Sequence, residues 1–511
     1  VVAAASGGGA MNLVPGLAEA YASRVPVLAL VGQPPREQEG RGAFQDSSGL
    51  AGSLDALEVF RPVSRFCAKA ASTHQAMELL PRAIAAAQTD PKGPAVLLLP
   101  KDVQQGRVRT SGPPQPPVPP APPAEPDPAV WIAAVAALQR AEQVLIIAGE
   151  GVASADARAE LAEVAHRLGA WVAVTPDAKD VFDNRDPGFA GVAGVMGHPN
   201  VGECLRRADL CLLVGTRLPE PARAGLERAL VATPVICVDS EPAFVASATL
   251  RGQVRSTLRA LADQLQPHPR PCPRHTGPVP VTPAAPAAGV RKGIVPCPEA
   301  MAAIAAALPD DGHVFVDAGN TGAFAVNRLP APRDGRFVVA MGMGGMGYTF
   351  GAGIGAALAT GRRTYVLAGD GAFFMHGMEV HTAVEYGAPV TFVVFNNNAH
   401  AMCATRERLF QGAGRTDDLF GRSDIAAGVA AAFPALRTVH ARSAGELRQA
   451  LRESNGTGGP AFVAVDVDPH EIPPFLPFLP ASAASGRGAP TDGEPTPSEE
   501  STDDRGPVHV G

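Results

Sequence analysis

Short apolar runs rich in β-branched residues alternate with amphipathic stretches in three blocks of the chain, about 1–110, 129–265 and 299–476. In the first block the chain opens in a strand-like run at 1–5. Residues 27–31 and 95–99 are uncharged and strand-sized, and 17–22 and 76–87 carry apolar residues at helical spacing. In the second, 144–148, 171–174, 210–214 and 235–238 read as strands separated by helical segments, and in the third so do 314–316, 365–368 and 390–395. Strands and helices taking turns predict parallel sheets, because parallel neighbours need a long crossover and the crossover is usually a helix. The fold class is therefore α/β, with three doubly wound parallel-sheet domains. In such sheets ligands bind beyond the carboxyl ends of the strands, so the chemistry belongs in the turns that follow them.

Proline marks the joints. Residues 111–128 cannot build a helix or a central strand, because proline lacks the amide donor and fixes φ, and they read as a stiff linker. A second Pro-rich linker covers 266–298, and 477–511, with little to bury, reads as a disordered tail. The long uncharged stretch 337–361 is studded with glycine and reads as turns plus a buried helix.

Composition narrows the function classes. The 511 residues carry a net charge of −7, which argues against nucleic acid or an anionic membrane as partner. Charged residues at 18% and apolar ones at 46% exclude wholesale disorder, and no apolar run approaches the ~20 residues of a membrane span. Seven cysteines without a C-x-x-C pair read as reduced thiols of a cytoplasmic protein. No signal peptide is visible, and because residue 1 is Val the start is expected to lie further upstream.

The sharpest chemical feature is Gly369-Asp370-Gly371-Ala372 after one strand of the third block and Asn396-Asn397-Asn398 after the next. They stand one strand–helix–strand unit apart, with a helix expected at 376–385, so both reach the same sheet edge. A carboxylate and an amide carbonyl, with a nearby main-chain carbonyl, form an oxygen-only set suited to Mg²⁺. The glycines let backbone amides approach a diphosphate at a helix start. Taken singly, a G-D-G turn or a run of Asn is ordinary turn chemistry; the conjunction at this spacing is the signal.

These residues resemble the cofactor motif of the thiamine-diphosphate-dependent enzymes, and in particular the acetolactate synthase-like branch. Ser6-Gly7-Gly8-Gly9-Ala10-Met11-Asn12 is similar to the family's S-G-P-G-A-T-N, and Gly32-Gln33-Pro34-Pro35 to its G-Q-x-P. Gly42-Ala43-Phe44-Gln45-Asp46 is similar to A-F-Q-E, and Gly93-Pro94-Ala95-Val96-Leu97 with Pro100-Lys101-Asp102-Val103 to G-P-V-x-x-x-x-P-K-D-V. Gly344-Gly345-Met346-Gly347-Tyr348 resembles G-x-M-G-Y.

The resemblance implies a pyrimidine-binding domain (1–110), a central Rossmann-like domain (129–265) and a diphosphate-binding domain (299–476). Asp370, Asn397 and the carbonyl of Ala399 would hold Mg²⁺. Gly371 and Ala372 would give amides to the diphosphate, and Asn320 and Thr321 would touch it. Met346, with the Gly344 loop around it, would lie beneath the thiazolium and Met402 beside the aminopyrimidine, although core filling is the ordinary fate of methionine. Phe44 and Gln45 would line the substrate side, and His400 would face the site as an acid/base or acceptor contact. His376, His381 and Glu379 read as structural.

The implied reaction is decarboxylation of a 2-oxo acid, pyruvate by preference, with transfer of the acyl unit to an acceptor carbonyl. The implied assembly is a homodimer or homotetramer, with the site formed between the first block of one subunit and the third block of another. Alternatives are a simple 2-oxo acid decarboxylase, a flavin-linked oxidase, or a non-catalytic thiamine-diphosphate-binding subunit.

Four departures from the family pattern matter. The Glu that serves the pyrimidine ring lies upstream of a strand like 1–5, so the first domain is expected to be N-terminally truncated. Arg406 stands where the branch's housekeeping synthases carry Trp. The F-D-D-R run that accompanies FAD is replaced by Gly215-Thr216-Arg217-Leu218-Pro219, so FAD is not expected, and Gly149-Glu150-Gly151 reads as structural. Residues 47–59 suggest a remodelled substrate loop.

Overall fold

The structure, a computed structural model, describes residues 1–108, 118–121, 124–267, 293–410 and 417–474. The expected tail, half of the first linker and most of the second lie outside the described residues. The first sheet comprises β1 (Val2–Ala4), β2 (Val27–Gln33), β3 (Phe66–Lys69) and β4 (Pro94–Pro100), in the order β1-β2-β4-β3. The second holds β5 (Val144–Ala148), β6 (Trp171–Val174), β7 (Phe189–Val192), β8 (Leu210–Val214), β9 (Val235–Asp239) and β10 (Ala248–Arg251), ordered β10-β9-β8-β5-β6-β7. The third holds β11 (His313–Val316), β12 (Phe337–Val339), β13 (Thr364–Gly369), β14 (Val390–Asn396), β15 (Arg437–Ala441) and β16 (Ala461–Asp466), ordered β12-β11-β13-β14-β16-β15. All pairings among these strands are parallel.

The central strands are uniformly apolar because both faces are covered. β5, Val-Leu-Ile-Ile-Ala, is wholly buried, with Leu145 and Ile147 in one core and Val144, Ile146 and Ala148 in the other. Strands without an expected counterpart are mainly edges: β3, β7, β10, β12 and β15 are short or carry Lys, Gly, Thr or Arg, which removes the apolar run. β16 pairs on both sides, with β14 and β15, and its Ala-Phe-Val-Ala-Val run has the same character as the other interior strands.

Two expected elements differ. The connection from β13 to β14 is helical from Asp370, with helices Asp370–His376 and Val380–Glu385 joined by a 3₁₀ turn, rather than one helix over 376–385. The uncharged stretch after β12 contains the helix Tyr348–Thr360, which buries Phe350, Ile354 and Ala357 against the sheet but leaves Leu358 47% exposed. It is a surface helix whose outer face is built from small residues, not a buried one.

The second and third domains share one apolar core, in which Phe189 and Val172 are continuous with Phe324, Phe337 and Val314. The other face of the third sheet packs a separate core around Phe350, Phe392 and Phe462, with Phe392 stacked on Phe350 at 5.8 Å between ring centres. The first domain is fastened to the others by polar contacts. Arg24 pairs with Asp239 at 2.7 Å and Glu241 at 2.6 Å, and the Glu19 carboxylate accepts from the amides of Gly342 and Met343. Phe392→Ala should destabilise the third domain by about 3–5 kcal/mol, read as a lowered urea midpoint of that domain's transition.

Candidate active site

In the third sheet β12 lies on one side of β11 and β13 on the other, so the chain leaves these adjacent strands in opposite directions. The helix Asn320–Arg328, following β11, packs in the core shared with the central domain, and the helix Asp370–His376, following β13, packs in the opposite one. Their N-termini flank a crevice at the carboxyl edge, the place where open parallel sheets bind ligands. Asp317, just past β11, closes its base. Its buried carboxylate accepts from the amide of Gly347 at 2.9 Å, the Thr349 hydroxyl at 2.5 Å and the amide of Ala318 at 3.0 Å. These bonds hold the glycine loop that carries Met346 against the crevice. Gly347 adopts φ 84°, and a Cβ there would stand 2.6 Å from the His376 ring, so glycine is required on both counts.

Asp370 is 1% exposed. Its Oδ1 accepts from the amide of Gly371 at 2.9 Å, and its Oδ2 from the amides of Asn397 at 3.2 Å and Ala399 at 3.3 Å. Its contacts among the described residues are main-chain dipoles, and burial pushes its carboxyl above the usual range while these amides oppose the shift. The three consecutive asparagines divide their work. Asn396 ties the strand ends together by donating to Asp466 at 3.1 Å and to the carbonyl of Ser423 at 3.2 Å. Asn397 reaches the site, its Oδ1 accepting from the amide of Ala399 at 3.0 Å. Asn398 turns the chain at φ 54°, its Oδ1 accepting from the amide and hydroxyl of Ser423.

Around this centre, Thr321 lies beside Gly369, with its hydroxyl 3.9 Å from where a Cβ would stand. Asn320 Oδ1 is buried with no hydrogen-bond partner among the described residues. A Cβ on Gly371 would stand 2.8 Å from His400 Nδ1 and 3.0 Å from Met346 Cε, so these three residues converge on one cradle. Ala372 is buried behind it, Gly344 is exposed at φ 65° with open space around it, and Met402 is half-buried on the helix Ala401–Phe410. The His400 ring stands edge-on to Phe420 at 4.6 Å.

Phe44 and Gln45 are not brought to this centre within one chain. Phe44 is 89% exposed and Gln45 packs against Gly7 in the first domain. Asp317, Thr349, Phe420 and Ser423 are site-building residues beyond those expected. Asp317 alone had a visible signal, an acid directly after an apolar strand run. A further cavity of about 490 Å³ opens at the switch point of the second sheet, where Arg24 holds Asp239. Glu150, in the Gly149-Glu150-Gly151 turn there, pairs with Arg336 at 2.9 Å.

Three parallel-sheet α/β domains, with a crevice of oxygen and amide groups at the switch point of the third, form the architecture of thiamine pyrophosphate enzymes. Sequence profiles of that family match the chain three times: the N-terminal TPP binding domain at 1–51, the central domain at 132–261, and the C-terminal TPP binding domain at 317–465. The chain belongs to the thiamine pyrophosphate enzyme family, and within it to the acetolactate synthase-like branch. It is 25% identical over 501 residues to a probable acetolactate synthase large subunit of Methanocaldococcus jannaschii, covering 93% of this chain and 83% of the relative. It is 25% identical over 505 residues to the acetolactate synthase isozyme 1 large subunit of Escherichia coli, covering 95% and 85%. A putative acetolactate synthase large subunit of Mycobacterium tuberculosis is 28% identical over 487 residues, covering 91% and 85%.

A carboxyl whose folded-state pKa stands above its unfolded value costs stability at higher pH, and the cost disappears as pH falls through the raised value. Without ligands, the wild type should therefore gain thermal stability relative to Asp370→Asn as pH falls from neutrality toward the ordinary carboxyl value of about 4. Thermal scans across that range check this, and a relative loss would show instead that Asp370 is stabilised as a carboxylate.

Proposed function

We propose that this enzyme is an acetolactate synthase-like carboligase that decarboxylates a 2-oxo acid, by preference pyruvate, and transfers the acyl unit to a carbonyl acceptor. The observation that carries the reading is the Asp370 carboxylate, buried among main-chain amides beside Asn397 and Ala399. A buried anion compensated only by dipoles suits a divalent cation, and the donor set is all oxygen. Mg²⁺ would be held by Asp370, Asn397 Oδ1 and the carbonyl of Ala399. The unpartnered Asn320 Oδ1, and the cradle at Gly371 that a Cβ would fill, fit the remainder of thiamine diphosphate. Gly371, Ala372, Asn320 and Thr321 would take its diphosphate.

Bound thiamine diphosphate supplies the electron sink that lets a 2-oxo acid lose CO₂ and pass on its acyl unit. The chain's residues orient and shield. Met346, half-buried and held by the loop that Asp317 fastens, gives the crevice an apolar floor, and Met402 a second apolar wall. His400, at the same cradle and braced by Phe420, would exchange a proton with an acceptor oxygen or contact the acceptor. Phe44 and Gln45 would be supplied by a second copy of the chain, in a homodimer or homotetramer. The exposure of Phe44, and of Phe374, Met375 and Met378 on and just after the helix that starts at Asp370, supports that assembly. Arg406, placed on the helix Ala401–Phe410, would face the acceptor with a positive charge. FAD is not part of the reading, because the central domain carries Gly215-Thr216-Arg217-Leu218-Pro219 and not the F-D-D-R run that accompanies FAD. The proposed compartment is the cytoplasm, in keeping with free buried thiols at Cys211, Cys237 and Cys297. Among the described residues no helix is long and apolar enough to cross a membrane.

Asp370→Ala should weaken Mg²⁺-dependent thiamine diphosphate binding about a hundredfold or more, measured by titration calorimetry, and unchanged affinity would overturn the assignment. Incubating the holoenzyme with ¹³C-pyruvate and a panel of 2-oxo acids and aldehydes should yield CO₂ together with a ligated 2-hydroxy ketone product. CO₂ with free aldehyde would replace the reading by a simple decarboxylase. Cofactor binding with no CO₂ from any substrate would indicate a non-catalytic subunit.

A further inference from the structure

The helix Asn320–Arg328 begins at the crevice, but its other end is held by the central domain. Lys179, just after the 3₁₀ turn that follows β6, runs its side chain into the inter-domain core, where the residue is 2% exposed. Its ammonium donates to the carbonyls of Ala325 at 3.3 Å, Val326 at 2.5 Å and Leu329, and it lies 5.0 Å from the centre of the Phe337 ring. Three acceptors match the three hydrogens of an ammonium group. The same helix end is fastened twice more: the Asn327 side chain donates to the carbonyl of Gly197 at 2.8 Å, and His198 Nε2 lies 2.9 Å from the Asn327 carbonyl. At the opposite end a Cβ on Gly322 would stand 2.3 Å from the carbonyl of Asp317, so the first turn is pressed against the base of the crevice.

We propose that Lys179 is a positioning residue of the central domain, which sets the cofactor-binding turn Asn320–Thr321 by capping the far end of its helix. This rests on the diphosphate assignment made above for Asn320 and Thr321. Nine residues span only about 13 Å, and a helix this short moves as a rigid rod. A cation at the last carbonyls complements the helix dipole and fixes the rod along its axis. Burial of an ammonium is costly, pulling its pKa down to about 7, so a lysine here is not neutral filling. Asn320 and Thr321 therefore stand where the diphosphate needs them before it arrives, and the central domain takes part in cofactor binding without touching the cofactor.

The test uses the full chain and titrates thiamine diphosphate in the presence of Mg²⁺ into wild type, Lys179→Met and Arg158→Ala, with thermal midpoints of the ligand-free proteins alongside. Arg158 pairs with Asp180, the residue after Lys179, and among the described residues makes no bond to the helix, so its variant loosens the same segment without uncapping the rod. Lys179→Met should weaken cofactor affinity about tenfold while kcat at saturating cofactor stays within about twofold of wild type, a split that general destabilisation would not produce. Arg158→Ala should lower the midpoint and leave affinity unchanged. Should Lys179→Met fail to accumulate as folded protein, Lys179→Gln, which keeps two donors, carries the same comparison. Unchanged affinity in the Lys179 variant, or an equal loss in Arg158→Ala, would overturn the proposal. Failure of the wild type itself to bind thiamine diphosphate would instead overturn the cofactor assignment beneath it.

Discussion

A buried carboxylate surrounded by backbone amides is the constraint around which the third domain is arranged. Asp370 can ionise in the interior only because three N–H groups, from the start of its own helix and from the turn after β14, converge on its two oxygens. That convergence requires β13 and β14 to be parallel neighbours in register, Gly369 opposite Phe395, so that both strands end at one level. It also requires the positive φ of Asn398, which brings the amide of Ala399 round to face the carboxylate. Asp317 repeats the device one strand away, and its bonds to Gly347 and Thr349 fix the loop that bears Met346. Two buried acids, each following a strand, organise both walls of the crevice.

The central domain is more than a spacer. Its core is continuous with that of the third domain, and a cluster of ion pairs around the buried Asp180 carboxylate lies at the seam between them. Arg336, at the foot of β12, bonds Glu150 and Asp180, and Asp180 also binds Arg158. Burial together with the neighbouring acids raises the Glu150 carboxyl to about 7, while the Arg336 cation opposes the shift. Asp180 is the buried member of this cluster and relies on the half-buried Arg336 and Arg158 for compensation. The first domain has cores of its own and meets the central domain through ion pairs, among them Arg24 with the buried Asp239 carboxylate and with the more exposed Glu241. The chain thus consists of two domains that share an apolar core and a first domain, carrying Phe44 and Gln45, with cores of its own.

On that first domain the loop after β2 is ordered by its own acids. Asp46 accepts from the amides of Gly40 and Ser48, and Asp55 caps the short helix Ala56–Phe60 by accepting from Leu57 and Glu58. The longer stretch after Phe44 and Gln45 is therefore a built feature, closed by an antiparallel bridge between Ser48 and Asp55. In a two-chain site such a loop would bear on substrate choice, since it borders the residues proposed to line the substrate side.

The sequence by itself determined the three sheets, because interior parallel strands must be apolar on both faces and so stand out as continuous runs such as Val144–Ala148 and Val390–Asn396. It also determined that Asp370 and Asn397 share an edge, since one strand–helix–strand unit returns the chain to the same side of the sheet. Edge strands such as β10 and β15 lacked that signature, because their outer faces need no apolar residues. Only the tertiary structure decided that the three asparagines do three different things, since neighbouring residues of one type differ only in what folds against them. The same holds for Asp317, for the burial of Lys179 beneath a helix far away in sequence, and for the separation of Phe44 from the crevice within one chain. Each depends on long-range packing, in which residues distant along the chain meet at positions that no local spacing encodes.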